Sequence, residues 1–286
     1  MNIRKALIPS AGFGTRFLPA TKSQPKEMLA VVDKPLIQYG VEEAVQSGIE
    51  NIVIITSRGK SSIADYFDKS PELEEFLRKK GKLEFLEEIE RISNLAEFCY
   101  IRQKEALGLG HAIQVGEDYI GREPFAVLLP DDIFDCPTKP CTRQLIDAFL
   151  EVKGSVIVLG RVDEEGTKKY GIIKPKQVSE RLFQIEDMME KPGPEKAFSD
   201  LAIIGRYVFT PEIFEAIRQT KPDKRREIQI TDSIRILMDT QPVYGYLFEG
   251  TRYDAGDKLE FIKANIELAL KRPEFKEKLT DYLKSL

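Results

Sequence analysis

Residues 4–29 read RKALIPSAGFGTRFLPATKSQPKEML. A short apolar run ends at Pro9, and the loop after it holds Gly12, Gly14, Arg16, Lys22 and Lys26. Glycines and cations directly after a buried strand predict an anion site at that strand's carboxyl end. Glycines let backbone N–H groups come close to an anion and form a concave nest. Arg16 offers a forked donor for phosphate oxygens, and Lys26 a compact second charge. Three kinds of phosphate loop compete for this stretch. The dinucleotide fingerprint G-x-G-x-x-G fits Gly12 and Gly14, but Phe17 stands at the third glycine, although Asp33 lies about where a ribose-binding acid belongs. A Walker A loop needs a terminal G-K-[ST], which is absent here. What remains is G-x-G-T-R, formed by Gly12, Gly14, Thr15 and Arg16, with P-K-E-M-L further along. The plain alternative is a glycine turn with solvated cations.

Working outward, apolar runs alternate with helical patterns. NIVIIT, EFCYIRQ, FAVLLP and SVIVLG read as strands after the first. PLIQYGVEEAVQSG, HAIQVGEDYI and TRQLIDAFLEV read as helices between them, and residues 60–95 as a charged helical stretch. This order predicts an α/β fold: a Rossmann-like, mixed and mostly parallel β-sheet flanked by helices. FAVLLP is almost wholly apolar, as expected of a strand covered on both faces. Beyond residue 165 the pattern loosens. YGIIKP, RLFQIEDMMEKP, LAIIGRYVF and VYGYLFEG read as strands, TDSIRILMD as a helix, and residues 258–286 as a helical tail broken near Pro273. The expected organisation is one domain over 1–286, with a nucleotide-binding half over about 1–165, a sugar-phosphate half over about 166–257, and the tail. In such sheets ligands bind beyond the carboxyl ends of the strands. The glycine loop, the ALGLG segment and Asp131-Asp132 each follow a strand, so one cleft can collect them.

The bulk properties bound the partners. The chain has 286 residues, 42% hydrophobic and 31% charged, with a formal net charge of −4. That gives a sizeable core and no global basic field for nucleic acid. An anionic substrate must therefore be held by local cations. No apolar stretch reaches the length of a membrane span, and no apolar leader opens the sequence, so a cytoplasmic location is expected. The three cysteines, Cys99, Cys136 and Cys141, lack CxxC spacing and predict neither a disulfide frame nor a zinc site. His111 is the only histidine, which excludes multi-histidine metal sites, and no GxSxG elbow accompanies it. It reads as a polar residue at a helix start or in a loop.

Asp131 follows a buried strand and Pro130, a place suited to Mg²⁺, which takes oxygen ligands and commonly one or two carboxylates plus substrate phosphates. Asp132 would orient that loop. An aspartate pair there reads equally well as a turn and helix cap. Asp254, in RYDAGD, is the natural second carboxylate for a metal, or a cap for the helix beginning near Lys258.

The longer run AGFGTRFLPATKSQPKEMLAVVDKPLIQY resembles the signature of the sugar-phosphate nucleotidyltransferases, and most closely their bacterial UTP–glucose-1-phosphate uridylyltransferase group. The resemblance continues in order through ALGLGHAI, FAVLLPDDI, YGIIKP, MEKP, LAIIGRYVF, EIQITDSI and RYDAGDKLEFIKANIELALK, almost the whole chain. Each of these later motifs is weak alone; their order and spacing make the set specific. Ala30 departs from the pattern, where proline is expected, and bears on loop stiffness more than on chemistry.

The resemblance implies a glycosyltransferase-A-like fold that joins UTP and glucose 1-phosphate to give UDP-glucose and pyrophosphate, with Mg²⁺ as cofactor. It implies that Ala11, Gly12, Gly14, Thr15, Arg16, Lys26, Gln103, Gly108 and Asp131 bind the nucleotide. Gln103 and the backbone near Gly108 would read the uracil edge, opposite Ala11 and Gly12, because a side-chain amide carries both a donor and an acceptor. Gly171, Glu190 and Lys191 would hold the sugar phosphate, and Asp131 with Asp254 the metal. Arg16, Lys26, Asp131 and Lys191 would carry the catalysis. Read without the family, Gln103 is a solvated strand end, GLG a turn, and EKP a surface turn. A homodimer or homotetramer is also implied. The competing functions are a dTTP-using or other sugar nucleotidyltransferase, a non-catalytic nucleotide sensor on the same fold, and a dinucleotide-dependent oxidoreductase.

Overall fold

The computed structural model describes residues 2–286. In chain order its strands are β1 (Lys5–Pro9), β2 (Ala30–Val31), β3 (Lys34–Pro35), β4 (Asn51–Thr56), β5 (Glu97–Arg102), β6 (Phe125–Leu128), β7 (Asp132–Asp135), β8 (Val156–Arg161), β9 (Gly171–Gln177), β10 (Leu182–Glu190), β11 (Leu201–Phe209), β12 (Tyr244–Leu247) and β13 (Thr251–Asp254). Its α-helices are α1 (Leu36–Gln46), α2 (Ser61–Phe67), α3 (Pro71–Lys79), α4 (Leu83–Ser93), α5 (Gly108–Val115), α6 (Glu117–Ile120), α7 (Cys141–Val152), α8 (Ile213–Gln219), α9 (Ile230–Met238), α10 (Lys258–Leu270) and α11 (Pro273–Ser285).

A nine-stranded sheet in the order β5-β4-β1-β6-β11-β8-β12-β10-β9 forms the frame. β5, β4, β1 and β6 are parallel neighbours, as β-α-β units require. β11 enters antiparallel between β6 and β8, and β10 antiparallel between β12 and β9, so only these two strands run against the rest. The mixed, mostly parallel sheet expected from the sequence is present. Its parallel character is purest in the amino-terminal half.

Alternation along each strand divides the core between the two faces. Ala6, Ile8, Ile52, Ile54, Ala126 and Leu128 point to one face, where α1 and α7 cover them with Ile37, Val41, Leu145 and Phe149. Leu7, Val53, Ile55, Phe125 and Val127 point to the other, against α5, α8 and α9. Burial of each such side chain contributes about 1.5–3 kcal/mol. A third cluster, around Val31, Ile133, Tyr253 and Ala264, ties the β7–β13 ribbon to α10.

Several local expectations need correction. Residues 60–95 form three helices rather than one stretch, with Gly81 at a left-handed turn (φ +66°) between α3 and α4. The helix read from His111 starts at Gly108, inside the glycine segment. Asp132 begins strand β7, so the Asp131-Asp132 pair is not a helix cap. The cap of α10 is Asp257, whose carboxylate accepts the N–H groups of Leu259 and Glu260; this frees Asp254 from that role. The pairs β2–β3 and β7–β13 and the helix α8 lay outside the sequence reading.

Candidate active site

Three loops leave the carboxyl ends of β1, β5 and β6 and meet around a cavity of ≈ 530 Å³. Ala11, Gly12, Gly14, Thr15, Arg16, Lys26, Gln103, Gly108 and Asp131 all line it. The nine residues expected to bind nucleotide are thus brought together.

The glycine loop has a defined shape. Gly14 sits at φ +65°, and a Cβ there would lie 3.1 Å from Cβ of Lys26. The residue lets the chain turn into the short 3-10 helix Thr15–Phe17 while Lys26 packs beneath. Arg16 is exposed and donates from Nη1 to the Gly256 carbonyl at 3.4 Å, linking the loop to the segment after β13. Behind the loop, the buried Lys60 ammonium donates to the Ser10 carbonyl at 2.6 Å and to Glu27 at 2.8 Å. Burial pulls the Lys60 pKa below its usual range, and the Glu27 charge opposes that. This internal pair ties the first part of the loop to the residue beside Lys26.

Lys26 and Asp131 pair directly, Nζ to Oδ2, at 2.5 Å. Burial alone would depress the lysine and raise the carboxyl. The opposite charges prevail, so Lys26 lies above its usual pKa and Asp131 below. Both are charged at neutral pH. The sequence assigned them to different partners; here each neutralises the other.

Asp132 behaves differently. Burial pushes its carboxyl up to about 6, opposed by Arg252 and reinforced by the neighbouring Asp131 and Asp254. Arg252 holds it by a hydrogen bond of 2.6 Å from Nε, reaches Asp254 at 3.3 Å, and lies over the Tyr170 ring. Tyr170 donates its hydroxyl to Asp254. Gly256 lies between the two candidate metal carboxylates: a Cβ there would be 3.0 Å from Asp131 Oδ2 and 3.1 Å from Asp254 Oδ1. Two hard oxygen donors therefore converge on one small space. Among the described residues no cluster of three or more His, Cys, Asp or Glu side chains is suited to a metal. The donor set fits a divalent ion whose remaining ligands come from substrate phosphates.

Gly171, Glu190 and Lys191 do not line this cavity; Gly171 follows Tyr170, and the Lys191 N–H donates to the Tyr170 carbonyl. Glu190 accepts from the Thr231 hydroxyl at 2.7 Å and from Lys191 Nζ at 2.9 Å. A Cβ at Gly171 would stand 3.2 Å from the Glu190 carboxylate, so that glycine keeps the space in front of it open. Lys191 is exposed, at φ +49°. EKP is thus not the surface turn that its composition suggests: Glu190 ends strand β10, paired with Gly171, and the chain bends only at Lys191.

The residues that brace the site from behind are not marked as site residues by the sequence reading. Arg206 is 1% exposed and sits in the core. Its guanidinium binds Glu43 by several hydrogen bonds and donates to the carbonyls of Leu129 and Asp132 at 2.8 Å each. Glu43 also accepts from the backbone and hydroxyl of Thr142. Arg206 thereby clamps both ends of the loop that carries Asp131. Arg252, Tyr170 and Thr231 likewise lie inside quoted motifs, but their partners are distant in sequence and nothing local marks them. Asp33, the possible ribose-binding acid, is paired with Arg272 in the tail segment before α11, outside the cavity.

Comparison with known proteins gives consistent neighbours. A family model described as nucleotidyl transferase matches residues 5–270. The chain is 51% identical over 284 residues to a UTP–glucose-1-phosphate uridylyltransferase of Bacillus subtilis (strain 168), covering 99% of this chain and 97% of that one. A crystal structure of UDP-glucose pyrophosphorylase complexed with UDP-glucose superposes with a TM-score of 0.86 at 45% identity, over 95% of this chain and 100% of that one. A UTP-bound UGPase from Acinetobacter baumannii superposes with a TM-score of 0.93 at 36% identity, over 100% of both chains.

Proposed function

The chain belongs to the nucleotidyl transferase family, and from that premise we propose that it joins UTP and glucose 1-phosphate to give UDP-glucose and pyrophosphate. The observation that carries this reading is spatial. A cavity lined by the Gln103 amide and a paired cation and carboxylate is connected, through Asp254 and Tyr170, to an anchored glutamate and a lysine.

The glycine-loop amides and Arg16 receive the triphosphate. Lys26 exchanges its pairing with Asp131 for phosphate oxygens, which frees Asp131. Asp131 and Asp254 would hold a Mg²⁺ ion, which supplies charge neutralisation at the phosphates when bound. Glu190 accepts hydrogen bonds from sugar hydroxyls, and Lys191 aligns the sugar phosphate. That phosphate is already ionised near neutral pH, so its oxygen attacks the α-phosphorus without a general base. The bond to the β-phosphate oxygen breaks, and Arg16 and Lys26 stabilise the departing pyrophosphate. Among the residues lining the cavity there is no cysteine or histidine to form a covalent intermediate. Alignment of this kind supplies up to roughly 7–11 kcal/mol of barrier reduction.

The division of the chain into nucleotide and sugar-phosphate halves belongs to the same proposal, as do a cytoplasmic location and a homodimer or homotetramer. Among the described residues no helix is long and apolar enough to cross a membrane. Exposed Leu73, Phe76, Leu83 and Phe85 on α3 and α4 support self-association, which sedimentation analysis tests. The function is tested by pyrophosphate release across a matrix of nucleoside triphosphates and sugar 1-phosphates. UTP with glucose 1-phosphate should give the highest kcat/KM; a higher value with dTTP or another sugar would replace the proposed pair.

A further inference from the structure

We propose that His111 is a positioning residue that, together with the Gly108 carbonyl, holds the Gln103 amide in one orientation toward the cavity, and so makes the site choose a base with an N3–H donor over one with an N3 lone pair. The inference rests on the reading of the cavity as a UTP site. Gln103 is 8% exposed, yet it lines the cavity. Its amide nitrogen Nε2 lies 3.3 Å from the Gly108 carbonyl oxygen and 2.9 Å from His111 Nδ1. A half-turn of the amide exchanges its nitrogen and oxygen, so orientation must come from the neighbours. The Gly108 carbonyl can only accept, which places the amide nitrogen on its side. His111 Nδ1 must then accept as well, and its ring proton sits on Nε2. Both amide N–H groups are thereby used, and Oε1 has no partner among the described residues.

Gly108 is itself held firmly. It sits at φ +93°, and a Cβ there would be 2.9 Å from the backbone of Ile228. The Ile228 N–H donates to the Leu107 carbonyl at 2.7 Å, and its carbonyl accepts from the Gly110 N–H at 2.9 Å. The 3.3 Å contact to Gly108 is the longer of the two amide bonds, so His111 supplies the shorter one. The cavity therefore meets an acceptor, Oε1, and no amide donor. Uracil offers N3–H to that acceptor. Cytosine offers a lone pair at N3, which would face the oxygen lone pairs unless the amide turned; turning would set Oε1 against the Gly108 carbonyl and would require the His111 ring proton to move from Nε2 to Nδ1. Gln103 reads the base, and His111 stands behind it, outside the cavity lining.

Two experiments test this. kcat/KM is measured for UTP and CTP with glucose 1-phosphate, using CTP as a competitor of UTP where its turnover is too slow. His111→Leu removes the acceptor while keeping apolar bulk. It should lower kcat/KM for UTP about 3- to 10-fold, mainly through KM, and narrow the UTP:CTP ratio, with KM for glucose 1-phosphate unchanged. His111→Asn, whose Oδ1 reaches about the place of Nδ1, should restore most of the UTP preference. An unchanged UTP:CTP ratio in His111→Leu, or an Asn variant no better than Leu, would overturn the proposal while normal wild-type turnover leaves the function intact. Failure of the wild type to release pyrophosphate from UTP and glucose 1-phosphate would instead sink the reading beneath it. The second experiment needs no variant. His111 is the only histidine, so ¹⁵N-histidine NMR of the full chain at mildly alkaline pH reports its tautomer directly. The Nε2–H form is expected; an Nδ1–H form overturns the proposal.

Discussion

The two sides of the site are built by different means. On the side proposed for the nucleotide, the lining groups come largely from loops that directly follow parallel strands β1, β5 and β6, where Gly12, Gly14 and Gly108 leave backbone open to the cavity. On the side proposed for the sugar phosphate, the groups stand at the start of β9, at and just beyond the end of β10, and at the end of β13. They are held by side-chain pairs across the chain, such as Tyr170 with Asp254 and Thr231 with Glu190. A backbone-built site tolerates side-chain change but depends on local sequence. A side-chain-built site depends on residues that local sequence cannot identify. Asp131 lies where the two meet, paired with Lys26 from one side and sharing the space beside Gly256 with Asp254 from the other.

The largest effect is therefore expected at that junction. Asp131→Asn should lower turnover by roughly 10²–10³-fold, comparable to losing one electrostatic contact to the transition state. The fold should survive, since the side chain is part-exposed. Near-normal turnover at limiting Mg²⁺, in a folded variant, would detach Asp131 from the chemistry and break the junction.

Arg206 tests whether the halves are joined through the core. Arg206→Met leaves Glu43 with its charge buried and Thr142 as its remaining partner, so a stability loss of about 3–5 kcal/mol is expected. Arg4→Met, which breaks an exposed and solvent-screened pair with Glu50, should leave the denaturation midpoint almost unchanged. Equal shifts in the denaturation midpoints of the two variants would remove the special standing of the buried clamp.

A crossed pair of variants sharpens the division itself. Gln103→Ala should weaken use of UTP by about 3- to 10-fold, a hydrogen bond's worth, and leave glucose 1-phosphate saturation little changed. Glu190→Ala should do the reverse, raising KM for the sugar phosphate with UTP affinity by calorimetry intact. Variants that damage both substrates equally would show one coupled site.

The smallest effect is a matter of pH. The Asp132 carboxyl is raised by burial to about 6 in the folded chain, above its usual value. The folded chain thus binds this proton more tightly than the unfolded chain does. The stabilisation is full below about pH 4 and is lost as pH rises through about 6. Asp132→Asn should flatten that part of the stability–pH curve; an unaltered slope would place the titration elsewhere.

The same division decides what the sequence disclosed. β1, β4, β5 and β6 are short apolar runs between helical patterns, and their boundaries are legible to within a residue or two. The glycine loop is legible because its chemistry is contiguous in the chain. Glu190 and Lys191 had no such signal: EKP has the composition of any surface turn, and only the family resemblance pointed to them. Arg206 looked like one polar residue in the strand LAIIGRYVF, because its partner Glu43 lies far earlier in the chain. β7 carries no strand signal of its own, since its partner, β13, also lies far along the chain. Gln103 was identified, but the use of both its N–H groups depends on where α5 sets His111.

The central claim is that this site works by alignment and charge neutralisation in a single displacement. UTP made chiral at the α-phosphorus with a thio substituent tests it most directly. With glucose 1-phosphate, one in-line step predicts inversion of configuration in the UDP-glucose product. Net retention, or a uridylyl-enzyme trapped without sugar phosphate, would require two displacements and a covalent intermediate, and would contradict the account.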